Sequence, residues 1–217
     1  MNLKKSLLIA LFSFGIAQSA LAKTNGKNTL RILQLIVQED TSAAFLELKQ
    51  FAEQGEDLAQ YTLGERYQNG EGVAQSDTQA AYWYTKAAEQ GYLHAQFSLG
   101  EMYYNGKGVT QSTTQAAYWL TKAAEQEHAI AQYSIGYMYA LGDGVTQSDK
   151  QAVYWLEKAA EQKVSQAQYA LGFVYEAGWL SVPQDLRKAK HYYGLACDDG
   201  YNKGCEKYAE LDKQGVK

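Results

Sequence analysis

Apolar positions recur at helical spacing through most of this chain. Ala59, Leu63 and Tyr67 are four residues apart, which places them on one face of a helix with 3.6 residues per turn. A second helical segment follows, and it begins with a serine three residues before a glutamine, the spacing of a capping box. The serines that show this spacing are Ser76, Ser112 and Ser148. The pattern predicts an all-α fold built from pairs of helices.

Three short motifs repeat along the chain with a common period of 36 residues. The first begins with Ala-Gln at Ala59, Ala95, Ala131 and Ala167, the second is Gly-x-Gly-Val at Gly70, Gly106 and Gly142, and the third surrounds Trp83, Trp119 and Trp155. One period is the size of one helix hairpin, and stacked hairpins bury a core that a single hairpin lacks. We therefore predict an α/α solenoid with full repeats at about 56–91, 92–127, 128–163 and 164–200.

Both ends of the repeat array are irregular. The loop at 177–182 is one residue longer than its predecessors, and Tyr192 takes the tryptophan position. We expect the solenoid to cover residues 40–211, with a half repeat at 40–55 and a terminal helix at 204–211. Outside it lie an N-terminal segment at 23–39 with a capping helix reaching Asp40, and a tail at 212–217.

Glycines mark two kinds of position in each repeat. Gly64 and its equivalents interrupt the first helix, where glycine costs about 1 kcal/mol relative to alanine, so they predict the close approach of a neighbouring helix. Gly91 and Gly200 follow the second helix and predict its end. Glu127 and Lys163 replace that glycine in the middle repeats, which leaves those turns less defined.

The first 22 residues have the three regions of a secretory signal peptide. Two lysines precede an apolar run at Leu7–Ile16, and Ala20-Leu21-Ala22 supplies small residues for cleavage after Ala22. The alternative is a membrane anchor, but the run is half the roughly 20 residues that a spanning helix needs. We expect a periplasmic or secreted protein with no membrane span after cleavage.

Composition and charge narrow the class of partner. The chain has 217 residues with 24 acidic and 20 basic side chains, a formal charge of −4, and 46% hydrophobic residues. This is the composition of a folded protein, and the negative charge argues against nucleic acid as a partner.

Recognised catalytic and metal-binding motifs are missing from the sequence. It contains no Gly-x-Ser-x-Gly, His-Glu-x-x-His, phosphate-binding loop or Cys-x-x-Cys. His94, His128 and His191 occupy three different repeat positions, so repeat symmetry does not bring them together as metal ligands. We predict a non-catalytic protein with no metal and no cofactor.

The repeated motifs resemble the Sel-one-like repeat, a relative of the tetratricopeptide repeat with a longer loop between its helices. The matching pattern is Ala-x-x-x-Leu-Gly-x-x-Tyr, then Gly-x-Gly-Val, then Ala-x-x-Trp-x-x-Lys-Ala-Ala-Glu-Gln-Gly. The resemblance implies a right-handed superhelix that serves as an adaptor for other proteins. The implied partner is an unidentified protein or peptide, from the cell envelope or from a host.

Two cysteines extend the resemblance to the cysteine-rich secreted members of that family. Cys197 and Cys205 have the spacing that those proteins use to link adjacent helices, which implies a disulfide; the alternative is a pair of buried free thiols. Those relatives have been credited with penicillin binding or β-lactamase activity, which makes a β-lactam-binding enzyme the competing class. Against that class, the chain contains no Ser-x-x-Lys and no Lys-Thr-Gly.

Alignment with tetratricopeptide repeats implies a binding groove on the concave face of the first helices. These groove residues are Glu65, Gln68, Asn69, His94, Glu101, Tyr104, Asn105, Tyr137, Phe173 and Glu176. They change from acidic and amide side chains to aromatic ones, which suits a segment with a basic end and an apolar end. The alternative is that Tyr137 and Phe173 only pack on their neighbours. Lys107, Asp143 and Trp179 in the loops form a second candidate surface.

Overall fold

The computed structural model describes residues 26–37 and 41–217, and the predicted signal peptide lies outside them. The described residues form eleven helices and no strands. The helices are α1 Gly26–Ile36, α2 Thr41–Glu53, α3 Asp57–Asn69, α4 Asp77–Glu89, α5 Leu93–Asn105, α6 Thr113–Glu125, α7 Ala129–Leu141, α8 Asp149–Glu161, α9 Ser165–Ala177, α10 Leu186–Asp198 and α11 Asn202–Lys213. None of these helices is long and apolar enough to cross a bilayer.

The helices fall into two compact units, which divide after Thr110. Within each unit, successive helices pack against one another, and this confirms the predicted all-α solenoid fold. In the first unit, Leu48 and Leu63 are fully buried in one apolar cluster together with Ile32. In the second unit, Leu156 and Leu171 take the same role. Full burial of one such side chain contributes about 1.5–3 kcal/mol, so these clusters hold the hairpins together.

The glycines inside the first helices lie directly against the second helices, as predicted. A Cβ atom on Gly64 would be 2.6 Å from the ring of Tyr84, and one on Gly172 would be 2.5 Å from the ring of Tyr193. Gly136 is against the backbone of Leu156. At these positions the hairpin closes only because the residue has no side chain.

The predicted capping boxes are correct in one of their two bonds. Each serine hydroxyl accepts the predicted bond, whereas the predicted bond from the glutamine side chain back to the serine amide is wrong at Ser76 and Ser148. Ser76 Oγ accepts a hydrogen bond from the Gln79 amide at 3.3 Å, and the equivalent serines do the same. The amides of Ser76 and Ser148, however, donate to the carbonyls of Tyr67 and Tyr139. The return bond from the glutamine side chain is therefore replaced by a bond to the end of the preceding helix.

A buried glutamine in each first helix completes the end of the preceding second helix. The last carbonyls of a helix have no partner within it. The side-chain amides of Gln60, Gln96, Gln132 and Gln168 donate to four such carbonyls, those of Ala52, Ala88, Ala124 and Ala160, at 3.0 to 3.4 Å. Gln90 and Gln162 then donate to the amide oxygens of Gln60 and Gln132 at 2.8 Å. This bonding explains why the repeat motif begins with Ala-Gln.

The two turns that lack glycine keep the left-handed conformation. Glu127 has φ 66° and Lys163 has φ 63°, at the position where Gly55, Gly91 and Gly200 have φ between 87° and 95°. A residue with a side chain pays about 1–2 kcal/mol for this conformation.

Replacing Lys163 by glycine is expected to raise the free energy of unfolding by about 0.5–1 kcal/mol, because the relief of strain exceeds the added entropy of the unfolded chain. Urea denaturation measures the change. The control is Lys122→Gly inside α6, which should lower stability by about 1 kcal/mol. A loss of stability at Lys163 would contradict the expectation.

Candidate functional site

A pocket of about 250 Å³ in the first unit brings three of the predicted groove residues together. Gln68 from α3 and Glu101 and Asn105 from α5 line it. The remaining lining residues are Phe97, Ser98, Met102 and Lys107. Amide, carboxylate and ammonium groups therefore surround a concavity with an apolar base.

Gln68 is held in place by a buried tyrosine. The hydroxyl of Tyr84, which is 1% exposed, donates to Gln68 Oε1 at 2.7 Å. This bond uses the oxygen of the Gln68 amide and leaves its nitrogen as the group able to donate to a ligand. Tyr84 thus fixes the orientation of one wall of the pocket.

Glu101 is the acidic group of the pocket. Burial raises the pKa of its carboxyl, and within the described residues it forms no ion pair. The side chain of Asn105 donates to the backbone carbonyl of Glu101 at 2.8 Å, so its nitrogen is used within the helix. Lys107 lines the same pocket but does not pair with Glu101, so this half-buried carboxylate gains from a cationic group that a ligand supplies.

Glu65 and His94 both contact the side chain of Tyr61. The hydroxyl of Tyr61 donates to Glu65 Oε1 at 2.9 Å, and the Tyr61 ring is 5.9 Å from the His94 ring and 5.0 Å from the Tyr92 ring. Burial raises the pKa of Glu65 and lowers the pKa of His94. His94 therefore favours its neutral form at pH 7 and does not neutralise Glu65.

The other two predicted groove residues of the first unit are close to the solvent. Asn69 ends α3 and donates to Glu71 Oε1 at 3.4 Å, whereas Tyr104 on α5 is 37% exposed. Neither residue lines the pocket that contains Glu101.

Two aromatic groove residues of the second unit remain half exposed. Tyr137 is 47% exposed, and Phe173 is 45% exposed with its ring 6.0 Å from that of Trp179. Packing on neighbours therefore covers only part of each ring. Large exposed aromatic surface is available for contact at both positions.

Glu176 differs from the acidic groove residues of the first unit. It accepts the hydroxyl of Tyr193 at 2.5 Å and pairs with Lys207 of α11 at 3.1 Å. Cys197 and Cys205 form a disulfide with Cα atoms 4.6 Å apart, as the resemblance implies, and this bond fastens α11 two residues before Lys207. The chain itself thus supplies the counter-charge of Glu176.

The sequence reasoning missed two kinds of residue. Phe97 and Ser98 line the pocket, but Phe97 occupies a register that is aromatic in every repeat and that indicates core. Lys207 belongs to the terminal helix, outside the repeat register, so no periodic signal points to its contact with Glu176.

Comparison with known proteins agrees with this architecture. The family model described as Sel1 repeat matches residues 57–92, 93–128, 129–164 and 165–201. No curated protein matches the chain.

Two solved structures are similar to the chain. A protective antigen of uropathogenic Escherichia coli strains, displaying an SLR fold, is 38% identical with a TM-score of 0.75; the match covers 79% of this chain and 37% of the antigen. A Sel1 repeat protein from Oxalobacter formigenes is 33% identical with a TM-score of 0.78; the match covers 83% of this chain and 74% of that one. This chain thus spans little more than a third of the antigen.

The four matched repeats cover most of the chain, and the second of these structures is similar over most of its own length. The chain therefore belongs to the Sel1 repeat family, whose members typically act as scaffolds for protein–protein interaction.

Proposed function

We propose that this protein is an exported, non-catalytic scaffold that binds a segment of a partner protein along the groove residues. The partner is an envelope protein or a host protein. The observation that carries the proposal is the pocket in which Gln68, Glu101 and Asn105 come together.

The first unit suits the basic part of such a segment. Glu65 and Glu101 are partly buried, burial raises the pKa of both carboxyls, and neither forms an ion pair within the described residues. A lysine or arginine of the partner would pair directly with either carboxylate, in addition to the charge of Arg66 that already acts on Glu65 and of Lys107 in the pocket of Glu101. Glu176 provides the contrast, since Lys207 already pairs with it.

The second unit suits the apolar part of the segment. Tyr137 and Phe173 each expose nearly half of their surface, and Trp179 adds an exposed ring beside Phe173. Aromatic side chains bury a large area at low cost in side-chain entropy, which makes them common anchors of protein interfaces.

Export is supported by the disulfide between Cys197 and Cys205, because such bonds persist in oxidising compartments. The signal peptide inferred from the sequence gives the same location, which is the periplasm or the exterior. The similarity to a protective antigen of uropathogenic strains is compatible with a partner on the host side.

The test is affinity purification from envelope extract and from host-cell lysate, with the partner identified by mass spectrometry. A Glu101→Lys, Tyr137→Ala double variant is expected to reduce recovery of the partner about tenfold or more, because it reverses a charge in the first unit and removes an aromatic anchor in the second. Its helical content and melting temperature should be unchanged.

The matched control carries the same two replacements outside the groove residues. Glu89→Lys and Tyr118→Ala alter exposed side chains of α4 and α6 and should leave recovery unchanged. Equal recovery with both double variants would refute the proposal, and unfolding of the Glu101, Tyr137 variant would show that these residues are core.

A further inference from the structure

The loops of the second and third repeats pack tightly against the start of the second helix of the preceding repeat. Gly108 lies so near the backbone carbonyl of Asp77, at the start of α4, that a Cβ atom would overlap it. Gly144 has the same relation to Thr113 at the start of α6. In both cases the loop backbone can contact the first turn of the helix only because glycine has no Cβ atom.

The loop of the fourth repeat does not close in this way. Its extra residue places Leu180 and Ser181 where the glycines of the other loops occur, and both take the left-handed conformation with φ of 53° and 54°. The Ser181 hydroxyl donates to Asp149 Oδ2 at 2.6 Å, so the loop is held by a side-chain bond. A pocket of about 420 Å³ remains between this loop and α8.

The face of α8 that lines this pocket also departs from the repeat pattern. Lys150, Val153 and Glu157 line the pocket. The lysine and the glutamate occupy positions that are threonine in the two preceding repeats, and the valine occupies a position that is alanine there. The earlier residues are Thr78 and Thr114 for the lysine, Thr85 and Thr121 for the glutamate, and Ala81 and Ala117 for the valine. The longer loop and the altered helix face thus coincide at one place.

Charge is unevenly placed along the pocket. Lys150 and Glu157 are seven residues apart, about 10 Å along the helix, so the ammonium does not neutralise the carboxylate. Within the described residues, Glu157 forms no ion pair. Asp149 adds a second carboxylate at the other end. The balance of the lining is negative.

Tyr154 supplies an aromatic wall whose ring face carries no lysine within the described residues. In the preceding repeats, Lys86 lies over the Tyr82 ring at 5.7 Å and Lys122 over the Tyr118 ring at 5.9 Å. The equivalent lysine, Lys158, bonds Glu161 at 3.2 Å and its charge still acts on Tyr154, but within the described residues no lysine lies over the Tyr154 ring. The face of the Tyr154 ring is therefore available to a cation from a ligand, whereas the rings of Tyr82 and Tyr118 already carry a lysine.

We propose that the pocket between α8 and the loop at 178–185 binds an arginine or lysine side chain of a partner protein. The aliphatic stem lies on Val153, Leu180 and Val182, and the charged head reaches Glu157 and the ring of Tyr154. This side chain matches both the apolar base and the negative rim, because its stem is hydrophobic and its end is cationic. The site is separate from the groove residues and does not depend on the function proposed for them.

The probe is the peptide acetyl-Ala-Arg-Ala-amide, titrated into the oxidised, ¹⁵N-labelled protein. Peptides with norleucine and with glutamate at the central position are compared with it. The arginine peptide is expected to shift the backbone amides of residues 149–157 and 178–182 in a saturable manner. Glu157→Gln is expected to weaken its binding about three- to fivefold. The control, Glu125→Gln on α6, removes the same charge outside the pocket and should leave binding unchanged.

Each other result overturns the proposal. Equal binding of the norleucine peptide, with no effect of Glu157→Gln, would mean that the pocket takes an apolar side chain. Preference for glutamate would mean that Lys150 decides the charge of the ligand. Shifts confined to the amides of the groove residues would place the arginine there, which would support the groove proposal while removing this one.

Discussion

Alanine in place of Gly172 lowers the free energy of unfolding by about 2–3 kcal/mol, although alanine is the better helix former. The added Cβ would lie 2.5 Å from the ring of Tyr193, which is fully buried and hydrogen-bonded to Glu176. The ring has no space to withdraw, so α9 and α10 must separate. Urea denaturation of the protein measures this loss of stability.

Gly194→Ala is the matched control for this prediction. Gly194 is also inside a helix, but its Cβ would meet the ring of Tyr208 at 3.2 Å, and that ring is 41% exposed and can move aside. We expect a change between zero and a gain of about 1 kcal/mol. A similar loss at both glycines would mean that helix packing at Gly172 is not the cause.

Removal of the disulfide is expected to cost about 2–3 kcal/mol of stability. Cys197 and Cys205 are 8 residues apart, and linking them restricts the unfolded chain by an amount that corresponds to this energy for a short loop. Alanine is a suitable replacement at Cys197, because the equivalent positions are Ala88, Ala124 and Ala160. The variant is therefore Cys197→Ala, Cys205→Ala.

Thermal melting and amide hydrogen exchange test this effect in two ways. The variant should melt at a lower temperature, and the amides of α11 should exchange faster, because the disulfide no longer fastens that helix. Dithiothreitol should lower the melting temperature of the native protein and leave the variant unchanged. Identical melting of oxidised and reduced native protein would contradict the expectation.

The sequence predicted the fold well because the same contacts recur in each repeat. The register of Gly64 and Gly172 indicated close helix packing, and the structure shows it against Tyr84 and Tyr193. The turns at Glu127 and Lys163 were less defined in the sequence. Neighbouring helices impose the left-handed conformation there whatever the residue, so local preference is overridden.

The candidate sites were less predictable, because they depend on departures from the repeat. Alignment with related repeats indicated Gln68 and Glu101, but the bond from Tyr84 joins residues 16 positions apart and has no counterpart where leucine replaces that tyrosine. The pocket beside α8 depends on a single inserted residue in the facing loop. Periodicity describes what repeats share, and binding surfaces lie where repeats differ.

The buried glutamines have a consequence for how such a chain can change in length during evolution. Gln132 donates to Ala124 of the repeat before it and accepts from Gln162 of its own second helix. A duplicated stretch of 36 residues therefore carries one new donor and one new helix end, so no buried polar group is stranded. Gene duplication of whole repeats can therefore lengthen or shorten the array without new compensating mutations. The extra residue of the fourth repeat lies in a loop and leaves the bond from Gln168 to Ala160 in place.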